Sequence, residues 1–518
     1  MPLERLLGLF VAAVVLAAAA RRVGAPYPVF LALGGAALAM LPLGASFTLP
    51  PELALALFVA PVLLDAAYDA SLRDLKDNWG PVAGLVVCAV GLTTAAVAIV
   101  VRAVIPSMPW APAIALGAIV APPDAVAATA VLRPLRPPQR LLTILEGESL
   151  LNDATALLIY RLAVGAVAAG TFSVGEVAPT FLLAVAGSLV AGPVLGWLLL
   201  KLMDRVQHIP TSIILQFVTT FAVWRLAEHL GLSAVLTMVT FAATVAQISP
   251  ARTSARTRIP TYAVWETVVF ALNILAFIFI GLQLGPILGN LEPADRGPYF
   301  ATAGAVLLTV IAVRLAWHMS FNAAVRWYHA RFGFNPERPT LRPTVGSGLV
   351  ISWSGMRGIV SLAAALALPP AFPFRDLIVL VAFAVVLGTL VIQGLTLKPL
   401  LRALDLRDGD PVGQEVQSAR ERALRSGLAS LDRDSSAAAD TVRKELTAHL
   451  AQGGAADITH AAHGDLHGRA LKAARDAVLD MRATGEIGDD AFHRIEEELD
   501  WLEMAGVTAA EAPASADD

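Results

Sequence analysis

The sequence predicts an all-α polytopic membrane protein, and three observations predict it. The 518-residue chain is 56% hydrophobic and only 15% charged, where a soluble domain carries about 25% charged residues. Its mean hydropathy is +0.66, and apolar runs long enough to cross a bilayer recur up to about residue 400. Basic residues gather in alternate loops, as they do in a chain that threads back and forth through a membrane.

Apolar runs and the breakers between them define about thirteen candidate spans. They cover 6–20, 27–46, 51–70, 80–105, 110–133, 141–169, 174–204, 211–230, 232–249, 262–287, 298–325, 345–369 and 375–398. The odd-numbered loops hold Arg21 and Arg22, Arg73 and Lys76, Arg133, Arg136 and Arg140, Lys201 and Arg205, Arg252, Arg256 and Arg258, then Arg326, Arg331, Arg338 and Arg342. The even loops are nearly bare, with Arg296 and Arg375 the main exceptions. The positive-inside rule therefore places the odd loops and the tail in the cytoplasm and the N-terminus outside. The first span reads as a membrane helix and not as a cleaved signal peptide, because Arg21 and Arg22 follow its apolar core.

Domain boundaries follow from composition. Residues 1–405 form the membrane domain and 406–507 a cytoplasmic helical domain, and 508–518 read as a disordered tail. Ser418–Leu450 and Ala462–Glu503 carry helical spacing. Val478, Leu479, Ile487, Phe492, Ile495, Leu499 and Leu502 line an apolar stripe around a Gly485/Gly488 turn. This tail serves packing and assembly or, alternatively, regulation. The one cysteine, Cys88, excludes an intramolecular disulfide, and no P-loop or zinc-ligand spacing occurs. An ATP-driven pump and a metalloenzyme are thereby disfavoured, and neither a cofactor nor a nucleic-acid partner is expected.

Polar residues inside the spans carry the functional reading, because an acid at mid-bilayer costs about 2.5–3.5 kcal/mol on the insertion scale. The sixth span contains three acids in Glu146-Gly-Glu148-Ser149-Leu-Leu-Asn152-Asp153. Asp153 falls near the membrane middle, and Ser149, four residues earlier on the same face, can offer it a hydroxyl ligand. Glu146 lies nearest the cytoplasmic end. Glu148 points away from Asp153 and needs a partner, for which mid-span Arg314 is the leading candidate in a structural ion pair.

The fifth span holds Ala121-Pro122-Pro123-Asp124, where two prolines cannot continue the backbone ladder. An unwound segment with a carboxylate makes a cation site; the alternative is a proline kink with a structural acid. The twelfth span holds Ser352-Trp-Ser354-Gly355-Met-Arg357-Gly358, a second expected break. The two broken spans lie about seven apart, the offset an inverted repeat would give. Arg357 would neutralise carbonyl dipoles or pair with an acid, in a structural role. Asp65 is a candidate access-path acid. Glu266, His318, Arg161 and Arg225 read as snorkelling or interfacial, and Trp265, Trp317 and Trp353 as packing or belt aromatics.

The segments GAIVAPPDAVAATAV (117–131), LEGESLLNDATALLIY (145–160), SWSGMRGIVSLAAALALP (352–369) and FIFIGLQL (277–284) resemble the monovalent cation:proton antiporter-1 family. The resemblance covers about residues 1–400 with the span count included. It implies that Asp153 binds cation and proton in turn, with Asp124 and Ser149 as neighbours and Asn152 preceding it. Asp153 and Asp124 would hold the Na⁺. It further implies a thirteen-helix homodimer with two unwound, crossing helices, moving a core domain against a dimerisation domain. The Asn152-Asp153 pair resembles the electroneutral branch. Pro123 departs from the family's usual threonine or serine and removes one candidate ligand, and Asp65 stands where many members have glutamate.

The expected activity is exchange of Na⁺, or of Li⁺ or K⁺, for H⁺ across the plasma membrane by alternating access. K⁺/H⁺ exchange is a close alternative. A cation channel and an intramembrane enzyme are rivals, the first wanting a pore loop or ring and the second a His–Ser or paired-Asp arrangement.

Overall fold

A computed structural model describes residues 3–452 apart from 24, 41–49, 71–74, 76–78, 136, 170–173, 207, 254, 290, 333–343, 407–410 and 433–435. Beyond 452 it describes 473, 474, 476, 477, 495 and 499. Every element among the described residues is helical, and none is a strand. This is the arrangement apolar chains adopt in lipid, where each backbone N–H and C=O has to be satisfied within its own segment.

The chain divides into two compact units, Met1–Asp408 and Gly409–Asp518. In the first, seven stretches are long and apolar enough to cross a bilayer. They are Trp110–Leu135, Gln139–Ala168, Leu182–Met203, Ile209–His229, Thr257–Gly289, Arg296–Phe332 and Arg375–Leu404. Tyr27–Ala39, Val90–Val104 and Ala234–Ser249 are shorter apolar helices. Leu182, Leu183, Val190 and Leu308 are among the large apolar side chains left exposed, as side chains that face lipid are.

Several helices differ from the sequence expectation at their ends. Arg296–Phe332 runs to Phe332 because nothing in its polar last turns breaks the helix once the apolar run has ended. Ala255–Leu282 begins before Pro260 and carries it internally; a proline this near the start removes a single backbone bond. Two helical stretches, 51–69 and 79–104, contain π-helical turns at Leu55–Val59 and Gly84–Ala89.

Small residues set the closest helix pairs, as expected where lipid tails remove the hydrophobic drive between helices. Gly35 and Gly281 bring Tyr27–Ala39 and Ala255–Leu282 into backbone contact. A Cβ on Gly281 would overlap the carbonyl of Ala32, and one on Gly35 the carbonyl of Ile278. Gly117 sits in the same way against the Thr94 backbone, where an added Cβ would lie 2.5 Å from the Thr94 carbonyl oxygen. Gly281→Ala is therefore expected to cost about 1–3 kcal/mol by overpacking, read as a lower unfolding midpoint of the purified protein. Gly304→Ala, where a Cβ meets nothing within 4 Å, is the matched control and leaves the midpoint in place.

In the second unit, Pro411–Ser430 and Ala437–Gln452 form two helices. Gly427 of one approaches Leu446 of the other, and Arg443 donates to the Leu431 carbonyl at 3.0 Å. Ser418–Leu450, which carries helical spacing, holds a turn beginning at Leu431 between the two helices. The apolar stripe around Gly485 and Gly488, apart from Ile495 and Leu499, lies outside the described residues, as does 508–518.

Candidate cation site

Two helix breaks meet at the centre of the first unit. Trp110–Val120 stops at the two prolines, and Ala125–Leu132 restarts with Asp124 as its N-cap. Val345–Trp353 stops before Gly355, and Ile359–Leu366 restarts after Gly358. The Asp124 amide donates to the Met356 carbonyl at 2.6 Å. A Cβ on Gly358 would overlap the Asp124 carboxylate, so only glycine admits this approach.

The broken ends carry charge, and side chains complement both signs. Asp124 Oδ1 accepts from the Val126 amide at 2.9 Å, and Ser149 Oγ accepts from the Ala125 amide at 3.3 Å. These contacts cap the positive end of Ala125–Leu132. On the negative side, Arg357 Nε donates to the Val120 carbonyl at 3.0 Å and Nη2 to the Ala121 carbonyl at 3.3 Å. Its Nη1 donates to the Gly355 carbonyl. Arg357 is 1% exposed, and its backbone amide donates to Thr389 Oγ1 at 3.1 Å. The guanidinium thus takes up carbonyls freed by both breaks, and acids are absent from its hydrogen-bond partners among the described residues.

The Gln139–Ala169 helix passes the crossing with two polar faces. One buries Glu148, fully enclosed, in a forked pair with Arg314 at 2.6 and 2.8 Å. Arg314 Nη2 also donates to the Ile351 carbonyl at 3.2 Å, and Asn152 Nδ2 donates to Glu148 Oε1 at 3.2 Å. His318 corrects the interfacial expectation. It is 3% exposed, its Nδ1 bonds the Arg314 carbonyl at 2.8 Å, and its Nε2 lies 4.0 Å from Glu148. One turn beyond Arg314, it shares that residue's buried face.

The other face turns Asp153 and Ser149 into a cavity of about 70 Å³ shared with Pro123 and Asp124. Asp153 is 6% exposed; its carboxylate opens into this cavity and lies within electrostatic reach of Asp124. Glu146, Asn273 and Ser361 also line it. Sequence reasoning missed Asn273 and Ser361 as cavity residues. Asn273 could have been found, since an amide mid-run in FALNILAFIFIGL is itself costly in lipid. Carboxylate and hydroxyl oxygens, here those of Asp153, Asp124 and Ser149, are the donors a hard cation takes.

Asp65 does not reach this cavity. It lines a larger one of about 440 Å³ with Asp69, Arg133, Tyr68, Tyr262, Trp265 and Glu266. The 60–69 helical segment is the wall between them, presenting Asp65 and Asp69 to the large cavity and Leu63 and Ala66 to the small one. Glu266, expected at the interface, faces Asp65's cavity. Arg225 pairs with Glu228 at 2.9 Å, and Arg161 donates to the Leu232 carbonyl at 3.4 Å.

Residues 9–403 match the family described as sodium/hydrogen exchanger, transmembrane. The chain belongs to the sodium/hydrogen exchanger family. As a member, it is a cation/proton antiporter and not an enzyme. The exchanger is 32% identical over 418 residues to an uncharacterised Na⁺/H⁺ exchanger of Mycobacterium tuberculosis, covering 78% of this chain and 75% of that one. It is 27% identical over 507 residues to a sodium, potassium, lithium and rubidium/H⁺ antiporter of Bacillus subtilis, covering 92% and 74%. With the low-affinity Na⁺/H⁺ antiporter NhaS1 of Synechocystis it shares 30% over 422 residues, 79% of this chain and 75% of that one. The fold is similar to that of the sodium proton antiporter MjNhaP1 of Methanocaldococcus jannaschii, with a TM-score of 0.58 at 16% identity. That likeness covers 78% of this chain and 98% of the archaeal one.

Proposed function

We propose that this exchanger moves Na⁺ outward against H⁺, electroneutrally, through one carboxylate that holds either ion in turn. The observation that carries the reading is Asp153, buried and facing a small, largely apolar cavity that it shares with Asp124 and Ser149 at the crossing of two broken helices. A bare carboxylate charge at this depth costs several kcal/mol. A proton or a cation removes that cost, and one carboxylate cannot hold both. If only the loaded states cross, exchange is obligatory and the empty crossing is the barrier.

In this reading Asp124 and Ser149 assist Asp153, Asn152 orients the segment, and Pro123 replaces a hydroxyl ligand by an unwound backbone. Asp65 serves the access path from its separate, larger cavity. Glu148, Arg314 and Arg357 hold the fold around the site. Thirteen spans related by an inverted repeat, an external N-terminus, a cytoplasmic tail, residence in the plasma membrane and a homodimer complete the proposal. The offset between the two breaks and the alternation of loop charge support it. K⁺/H⁺ exchange is the second reading, favoured by the four-cation name of the Bacillus subtilis relative.

The test is a proteoliposome carrying an imposed pH gradient and a pH-sensitive dye, with the membrane potential clamped. Na⁺ addition is expected to collapse the gradient at the same rate with and without the clamp. The apparent KM for Na⁺ is expected to fall as pH rises, because fewer protons compete. Conductive flux uncoupled from protons contradicts the proposal.

A further inference from the structure

The Arg133–Glu146 ion pair stands where the two cavities approach each other. Arg133 begins the short turn after Ala125–Leu132 and lines the larger cavity with Asp65, Asp69 and Glu266. Glu146 lines the smaller one with Asp124 and Asp153. Arg133 Nη2 donates to Glu146 Oε1 at 3.1 Å, with the two side chains 61% and 24% exposed. A pair this open is strongly screened by water. It therefore contributes little to holding the fold, and thermal motion opens it readily. Its guanidinium also lies within electrostatic reach of Asp65 and Asp69. The other arginine lining the larger cavity is Arg258.

Resting on the antiport reading, we propose that Arg133 is a tethered cation that competes with the transported ion for the acidic groups where the two cavities approach each other, and so sets the exchanger's apparent affinity. While the guanidinium sits among Glu146, Asp65 and Asp69, it supplies the charge an arriving cation would supply. Before a cation can pass Glu146, Arg133 has to swing away or share its partners. The residue positions charge, and among the described residues its side chain hydrogen-bonds Glu146 and neither Asp153 nor Asp124.

Na⁺-driven proton flux in proteoliposomes tests this with Arg133→Gln, Arg133→Lys, Glu146→Gln and the Arg133→Gln/Glu146→Gln double variant. A charge removed at this range shifts the apparent KM by about two- to fivefold. Arg133→Gln is expected to lower the KM for Na⁺ by that factor at unchanged maximal rate, and Arg133→Lys to keep the wild-type KM. Glu146→Gln, which frees Arg133 to sit against Asp65 and Asp69, is expected to raise the KM. The double variant should return to the KM of Arg133→Gln, so the two effects are not additive. Choline chloride at high ionic strength should shrink all of these differences. An Arg133→Gln KM equal to or above wild type overturns the inference, as does a lower maximal rate with no change in KM. If wild-type exchange is robust and lost in Asp153→Asn, such a result counts against Arg133 alone. If wild type shows no proton flux driven by Na⁺ or by K⁺, the reading of the transport cycle fails and takes this inference with it.

Discussion

Asp153→Asn is expected to reduce Na⁺-driven proton flux to the leak of empty liposomes while the protein still purifies as a folded, monodisperse species. Asparagine matches aspartate in size, so the packing of Gln139–Ala169 is kept. What is lost is the ability to carry a charge that a proton or a cation can neutralise. Asp153 suits this role through its setting. It is 6% exposed and opens into the small cavity beside Asp124 and Ser149. Asp124, by contrast, already spends one oxygen capping the Val126 amide. Full exchange in Asp153→Asn would remove this residue from the ion path.

The second large effect concerns stability. Arg314→Met leaves the Glu148 carboxylate fully buried with Asn152 Nδ2 at 3.2 Å and His318 Nε2 at 4.0 Å as its remaining polar neighbours. Breaking a buried pair from one side costs about 3–5 kcal/mol, while replacing both partners by apolar side chains is often close to neutral. Arg314→Met and Glu148→Met are therefore each expected to lower the unfolding midpoint steeply. The double variant should recover much of the loss, because the penalty belongs to the uncompensated charge. Thermal unfolding of the purified variants measures this. A double variant that loses the sum of the two single losses would show that the forked pair itself holds the helices together.

The sequence disclosed the breaks more readily than it disclosed the cavities. Proline has no N–H and clashes with the preceding turn, so Pro122-Pro123 announces an interruption wherever it stands in a long apolar run. Arg357 between glycines announces another. The contact of Glu148 with Arg314 could be named across 166 residues because few opposite charges sit at that depth. His318 was legible too, since it lies one helical turn from Arg314, but its titratable ring suggested an interface. The π-helical turns at Leu55–Val59 and Gly84–Ala89 left no trace, because an extra residue in a helix requires no particular side chain. The wall between the two cavities was equally hidden. Which way Asp65 faces depends on how the 60–69 segment is rotated, and tertiary packing sets that rotation. Arg133 read as one more loop cation, and its bond to Glu146 arises only when the end of one helix is brought against the flank of the next.

In the proposed cycle one carboxylate exchanges a proton for a cation. This exchange is tested most directly by adding Na⁺ to purified exchanger in weakly buffered detergent solution and following the free proton concentration. Wild type is expected to release protons saturably as Na⁺ binds, with the half-saturating Na⁺ falling as the starting pH is raised. Asp153→Asn is expected to release none beyond the dilution control. Equal proton release from wild type and Asp153→Asn, or Na⁺ binding to wild type without any release, would contradict the account.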